Sequence, residues 1–260
     1  MLPPAVQARF DALVASGELP LPLLPETAAQ VLAMVDRPTC DAHKLAELVR
    51  RDPAMTAHVM QIAASPMYAT SVKVTSLQQA IGRLGFAAIS QLALAVAAKA
   101  RVVSVKGYDT ELRAAFKHAL ATALFAQEIA RLRRSTVDVA FLAGLFHDFG
   151  QPVLLQALVD IAGDASRDDV LAAVEAPHAE VGAKLVVKWQ MPAKVAEAVR
   201  LHHAPAGCEL AALVALADCF AHGRSDMPPE LAVALNMYPE DLEAIAARAP
   251  QVLETAQVIG

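Results

Sequence analysis

Apolar residues recur at helical spacing along almost the whole chain, and each lapse coincides with a proline, a glycine or a capping residue. That pattern specifies amphipathic helices and leaves little room for a sheet. Val6, Phe10, Leu13 and Val14 share one face of a first helix. Pro20, Pro22 and Pro25 follow, and Pro25 suits the first turn of the next helix, where a missing N–H costs nothing. Ala28, Val31, Leu32 and Val35 carry that helix until Pro38 ends it. Asp41 is a candidate N-cap for a helix bearing Leu45, Leu48 and Val49. Asp52-Pro53 combines an N-cap with proline at the first position, opening a helix with Met55, Val59, Met60 and Ile62. Thr75 and Ser76, followed by Gln78 and Gln79, read as a capping box for Leu77, Ile81 and Leu84, and Gly85 stops that helix. Phe86 to Ala100 is apolar on several sides, which predicts a buried helix.

Two segments break the period. Ser65 to Thr75, with Pro66 and a short β-favouring stretch, reads as a structured connector. Arg101 to Tyr108, with its charges, Ser104 and Gly107, is the main seam. Beyond it the period predicts a long helix from about Asp109 to Leu132, one from about Val137 to His147, and one past Gly150-Gln151-Pro152 to about Ile161. Four more segments run to about His222, divided at Pro177, Pro192 and Pro205, and three short helices follow Pro228-Pro229. No hairpin signal, sequence repeat or low-complexity tract is present. The expected fold is all-α, in two helical lobes meeting near residue 105. An N-terminal helical bundle covers 1–104, a C-terminal lobe covers 105–225, and 226–260 forms a helical extension packed on the same unit.

Composition narrows the class. The chain is 56% hydrophobic and 19% charged, which excludes disorder. Mean hydropathy is +0.40, high enough to raise the question of a membrane protein. No window offers about 18 uninterrupted apolar residues, the length a span requires. Lys99 and Arg101, His147-Asp148, and Asp218 break the best candidates. Cys40, Cys208 and Cys219 form no CxxC pair and read as three reduced, buried thiols. A net charge of −5 gives no general attraction for nucleic acid. Met1-Leu2-Pro3-Pro4 is not a basic segment leading into an apolar run, so a cytoplasmic protein without a leader is expected.

The informative residues are the polar ones inside apolar runs. His147-Asp148 interrupts Phe141-Leu142-Ala143-Gly144-Leu145-Phe146, and Asp218 interrupts Leu213-Val214-Ala215-Leu216-Ala217. A carboxylate in such a run is costly unless it is paired, hydrogen-bonded or metal-bound. Gly144 and Gly150 would let backbones or a ligand come close. Imidazole and carboxylate together suit a first-row divalent ion. His118 on the preceding helix and Asp218 on a later one could complete its shell. The rival reading is a buried His-Asp hydrogen bond bracing the helices.

Gly144-Leu145-Phe146-His147-Asp148-Phe149-Gly150 resembles the GLLHDIG signature of the HD superfamily. The wider pattern resembles the HDOD domain, an HD-related output domain of bacterial signalling proteins. Leu21-Pro22-Leu23-Leu24-Pro25, Asp52-Pro53-Ala54-Met55-Thr56, Ser65-Pro66-Met67-Tyr68 and Val74-Thr75-Ser76-Leu77 carry the likeness in the first half. His178-Ala179-Glu180-Val181-Gly182, Trp189 with Pro192, and His202-His203 carry it in the second. The resemblance covers about residues 20–225. It implies an HD-like C-terminal lobe and a regulatory role in signal transduction through a protein partner, without established catalysis. It also places His118, His147, Asp148 and Asp218 at the H…HD…D positions of metal-dependent HD phosphohydrolases. His178, His202 and His203 fall where HD-GYP phosphodiesterases hold further metal. The implied cofactor is a divalent ion: Fe, Mn, Zn, Ni or Mg. Two departures speak against cyclic dinucleotide hydrolysis. Gln151 stands where HD-GYP enzymes have lysine, and Cys219 to Arg224 does not match the GYP segment. No catalytic residue is assigned, and hydrolysis of a phosphate ester is the alternative function.

Several polar residues have plainer readings. His178 is a candidate cap, and His202-His203 a helix terminus whose neighbouring rings diverge by about 100°, so that one of them enters the site. His43, His58 and His222 read as surface or helix-end residues, and Arg131, Arg133 and Arg134 as a solvated helix end.

Overall fold

The computed structural model describes the chain apart from residues 17–18, 36, 69, 71–72, 103–104, 106, 225 and 260, and apart from the side chains of 100–102 and 258–259. The described residues form helices and no strand. The first six are α1 (Pro4–Ser16), α2 (Glu26–Val35), α3 (Ala42–Val49), α4 (Pro53–Ala64), α5 (Leu77–Leu84) and α6 (Phe86–Val102). Next come α7 (Asp109–Leu132), α8 (Val137–Phe146), α9 (Gly150–Val159), α10 (Arg167–Glu175), α11 (His178–Lys188), α12 (Ala193–Leu201) and α13 (Glu209–Ala221). Three short helices, α14 (Pro229–Ala234), α15 (Pro239–Ala247) and α16 (Ala249–Ile259), finish the chain.

The local signals act as expected. Asp41 Oδ1 accepts from the Lys44 amide at 2.8 Å, and Asp52 Oδ1 from the Met55 amide at 3.0 Å. Ser76 Oγ accepts from the Gln79 amide at 3.1 Å. Gln79 Oε1 reaches back to the Thr75 amide at 2.9 Å, one residue before the cap, so the box is shifted by one. Gly85 ends α5 with φ +84, a left-handed conformation that glycine adopts without strain.

Other expectations are corrected or fall outside the described residues. Helix α6 runs to Val102, into the predicted seam. Seam residues 103, 104 and 106, and connector residues 69, 71 and 72, lie outside the described residues. Cys219 is buried, but Cys40 and Cys208 are only half-buried. The basic end of α7 is solvated at Arg131 and Arg134, and it also pairs with acidic residues. Arg131 pairs with buried Glu128, and Arg133, 15% exposed, pairs with Glu209. Among the described residues, no single helix is long and apolar enough to cross a membrane.

Helix α7 is the spine. It is buried continuously from Ala119 to Ala130 and packs on α8, α13 and α16. Gly144 is what lets α8 press onto it: a Cβ there would lie 2.8 Å from Ala123 Cα. On the other side α2, α4 and α5 pack on α6, which in turn meets α7 and α8. Two buried glutamines help tie these helices. Gln127 Nε2 donates to Gln91 Oε1 at 2.9 Å, and Gln91 Nε2 donates to Asp138 Oδ1 at 2.8 Å. Glu128 on α7 also pairs with Arg248, between α15 and α16. The Leu21-Pro22 segment docks on the far end of α11: Lys188 Nζ donates to the Leu21 carbonyl at 2.7 Å and Trp189 Nε1 to that of Pro22 at 2.8 Å.

Candidate metal centre

Four helix ends converge on His147 and Asp148. His147 caps the C-terminus of α8, and Asp148 follows it in the tight turn into α9. That turn needs Gly150, since a Cβ there would fall 1.9 Å from the His178 carbonyl oxygen and 2.8 Å from the Gly182 amide nitrogen. The absence of a side chain thus brings the first turn of α11, with His178, against Asp148. Helix α12 ends at Leu201, and His202 and His203 occupy the turn after it. Helices α7 and α13 supply His118 and Asp218.

Asp148 lies at the centre. Its Oδ1 is 3.1 Å from His178 Nε2 and 3.4 Å from His202 Nε2, and its Oδ2 is 3.3 Å from His147 Nε2. His178 Nε2 lies 3.3 Å from His202 Nε2 and 3.0 Å from His203 Nε2. On the other flank, His118 Nε2 is 2.7 Å from Asp218 Oδ1, which is 3.7 Å from His147 Nε2. All seven residues singled out in the sequence therefore belong to one connected cluster. His147, His178 and His202 are buried, His118, Asp148 and Asp218 are half-buried, and His203 is exposed, so the cluster opens to solvent on one side.

Three rings are oriented the same way. His147 Nδ1 donates to the Gly144 carbonyl at 2.8 Å, His178 Nδ1 to that of Glu175, and His202 Nδ1 to that of Val199 at 2.6 Å. A carbonyl can only accept, so each Nδ1 carries the proton and each Nε2 is left facing the centre. His147 Nε2 is buried with no aligned hydrogen-bond partner. Imidazoles that ligate metals are held in this way. One donor atom each from Asp148, His178, His202 and His203 lie within 4.8 Å of one another. Ligands at 2.0–2.1 Å around a tetrahedral ion stand about 3.3 Å apart, close to the separations above. The donors fit a first-row divalent ion.

Charge is strongly coupled here. Burial works against a charged His147, but Asp148 and Asp218 outweigh it and raise its pKa to about 10. Burial also opposes ionised Asp148 and Asp218. The facing imidazoles overcome it and hold both carboxyls well below the usual carboxylate range. His178 is raised in spite of its burial by its contact with Asp148. His203 is lowered, by burial first and then by the neighbouring rings of His202 and His178.

The expectation that only one of His202 and His203 enters the site is corrected. It assumed an intact helix, whereas the helix stops at Leu201 and both rings reach the cluster. His222 is a residue the sequence reading missed: its ring lies 4.2 Å from that of His118. The available signal was its position four residues after Asp218 on one helix face. His43 is exposed and His58 half-buried, with its Nδ1 2.7 Å from the Ala54 carbonyl, and neither belongs to the cluster.

The fold recurs in known proteins. The chain is 21% identical to a solved Shewanella amazonensis structure described as a candidate metal-dependent phosphohydrolase, with a TM-score of 0.80 over 97% of this chain and 98% of that one. It is 22% identical to one from Marinobacter aquaeolei VT8 described as a candidate signal transduction protein, with a TM-score of 0.65 over 98% of this chain and 66% of the other. An uncharacterized Treponema pallidum protein is 23% identical over 197 residues, 70% of this chain but 37% of that relative's length. The HDOD domain profile matches residues 21–205, from the Leu21-Pro22 segment docked on α11 to the turn beyond His203. The chain belongs to the HDOD domain family.

Proposed function

We propose that this chain is a signalling module that holds a divalent metal ion in its His/Asp cluster and acts through contact with a protein partner. The donors are His118, His147, Asp148, His178, His202, His203 and Asp218. The observation that carries the metal reading is the shared orientation of three buried imidazoles. Each has its Nδ1 proton tied to a carbonyl and its Nε2 aimed inward with the Asp148 carboxylate. An ion of Fe, Mn, Zn, Ni or Mg, when bound, supplies Lewis acidity at this point. Family membership and the Marinobacter relative support the signalling role. In this reading residues 1–104 offer the partner surface, 105–225 hold the ion, and 226–260 brace the unit.

A specific observation favours a second reading, phosphate-ester hydrolysis. The cluster is open to solvent at His203, Asp148 and Asp218, and the Shewanella relative carries a hydrolase description. Against it stands Gln151: a neutral amide cannot supply the point charge that a lysine offers a phosphate.

Metal analysis of the purified protein, with titration of the metal-free form, separates the outcomes. Retained ion in the wild type and its loss in Asp148→Ala support metal binding. No retention and no binding on titration overturn it. Hydrolysis across a phosphate-ester panel that disappears in Asp148→Ala establishes the second reading in place of the first.

A further inference from the structure

The turn between α12 and α13, the first turn of α13, and helix α14 frame a cavity of about 530 Å³, within the size range of small-molecule sites. Pro205, Cys208, Ala212, Leu231 and Ala234 give it apolar walls, and Arg133, the residue after α7, stands at its side. We propose that this cavity binds a small organic monocarboxylate, its apolar body among these side chains and its carboxylate on the Arg133 guanidinium. The site shares no residue with the His/Asp cluster, so it goes beyond the metal reading and does not rest on it.

The guanidinium selects the ligand. Arg133 Nη2 donates to Glu209 Oε1. Its Nε and Nη1 are buried and have no acceptor among the described residues. Buried donors left unmet are costly, and a carboxylate matches a guanidinium in both charge and planar geometry. The Glu209 side chain is 62% exposed, so it can turn to water as a ligand carboxylate takes its place. The charge balance sets the ligand's valence. Glu209 and exposed Glu230 both border the cavity. One guanidinium thus faces two carboxylates, and a second negative charge on the ligand would meet no cation. Phosphate and dicarboxylates are disfavoured on that ground. The aliphatic walls suit a short alkyl or aryl body.

The rival is a surface hollow that takes any apolar molecule regardless of charge. Full-length protein is titrated with hexanoate and with benzoate by calorimetry, and 1-hexanol and inorganic phosphate serve as the comparison. Both acids should bind saturably, with 1-hexanol and phosphate about 10-fold weaker or more. Arg133→Met should weaken hexanoate about 10-fold or more. Glu209→Gln should strengthen it about 2–5-fold, because a competing charge is gone. Alkylation by iodoacetamide, followed by mass spectrometry, locates the ligand: hexanoate should protect Cys208, half-buried in the cavity wall, and leave Cys40 unchanged. Circular dichroism checks that the variants are folded. Should Arg133→Met fail to fold, Glu209→Gln decides alone, since Glu209 is exposed. Equal affinity for hexanoate and 1-hexanol would overturn the proposal, as would hexanoate binding unchanged in Glu209→Gln. Absence of binding by either acid would overturn it too. The metal reading stands or falls separately in every case.

Discussion

The Nε2 atoms of His178 and His203 lie 3.0 Å apart. Two lone pairs at that distance repel, and two N–H groups collide, so one proton or one cation must stand between them. Asp148 Oδ1, 3.1 Å from His178 Nε2, supplies the counter-charge. An ion entering here displaces protons. Its affinity should therefore rise with pH, and continue to rise until His147 gives up its proton near pH 10. Calorimetry in buffers of different ionisation enthalpy reads the released protons directly. Binding that releases none would contradict the arrangement.

In the metal-free protein the same groups shape stability. His147, raised from 6.5 to about 10, stabilises the fold fully below pH 6.5. That contribution is lost as pH climbs through 10. Asp148 and Asp218, lowered from 3.8, stabilise above that value, and the contribution is lost as pH falls. The urea midpoint of chelator-treated protein should peak between about pH 4 and 6.5 and decline toward pH 10. A midpoint level from pH 6 to 10 would show that the imidazole is not charged.

Gly150→Ala should damage both fold and site. The new methyl meets the His178 carbonyl, so α9 and α11 must separate. A loss of about 1–3 kcal/mol is expected for such overpacking, with weaker metal retention because His178 moves from Asp148. Denaturant unfolding and metal analysis measure the two effects. Wild-type values for both would mean that the turn is far softer than its contacts suggest.

Glu128 is a buried carboxylate between Arg131 and Arg248. Removing both arginines strands its charge. The double variant Arg131→Ala/Arg248→Ala should lose about 3–5 kcal/mol, and each single variant clearly less. Proteolysis should then release the C-terminal helices first. Additive single effects in a double-mutant cycle would show that the two arginines act independently.

Gln91 donates to Asp138 and accepts from Gln127. Gln91→Ala leaves buried Gln127 without its acceptor, while exposed Asp138 turns to water, at a cost of about 1–3 kcal/mol. Metal stoichiometry should be unchanged, because none of the three touches the ligands. Loss of metal together with stability would reveal coupling through α8.

The parts of the fold visible in the sequence were those set by neighbours along the chain. Asp41, Asp52-Pro53, Ser76 and Gly85 each fix a helix end through contacts within a few residues, and each acts as read. The cluster was visible because His147, Asp148 and Asp218 break apolar runs, and a buried charge needs a reason. Other features depend on contacts distant in sequence. Nothing local marks Glu128 as the partner of Arg248, 120 residues away. His222 looks like any helix-end histidine until α7 sets His118 against it. The reading of His203 failed on one local detail: a helix assumed to continue past Leu201 would have turned that ring away.

Helix α11 has His178 at one end and Lys188 at the other, with Trp189 just beyond. Eleven residues make a rod about 16 Å long. One end carries a donor of the cluster, and the other grips the carbonyls of Leu21 and Pro22, next to exposed Leu23. One continuous helix thus ties the position of the Leu21-Pro22 segment to that of a cluster donor, so the two cannot be set independently while α11 stays whole.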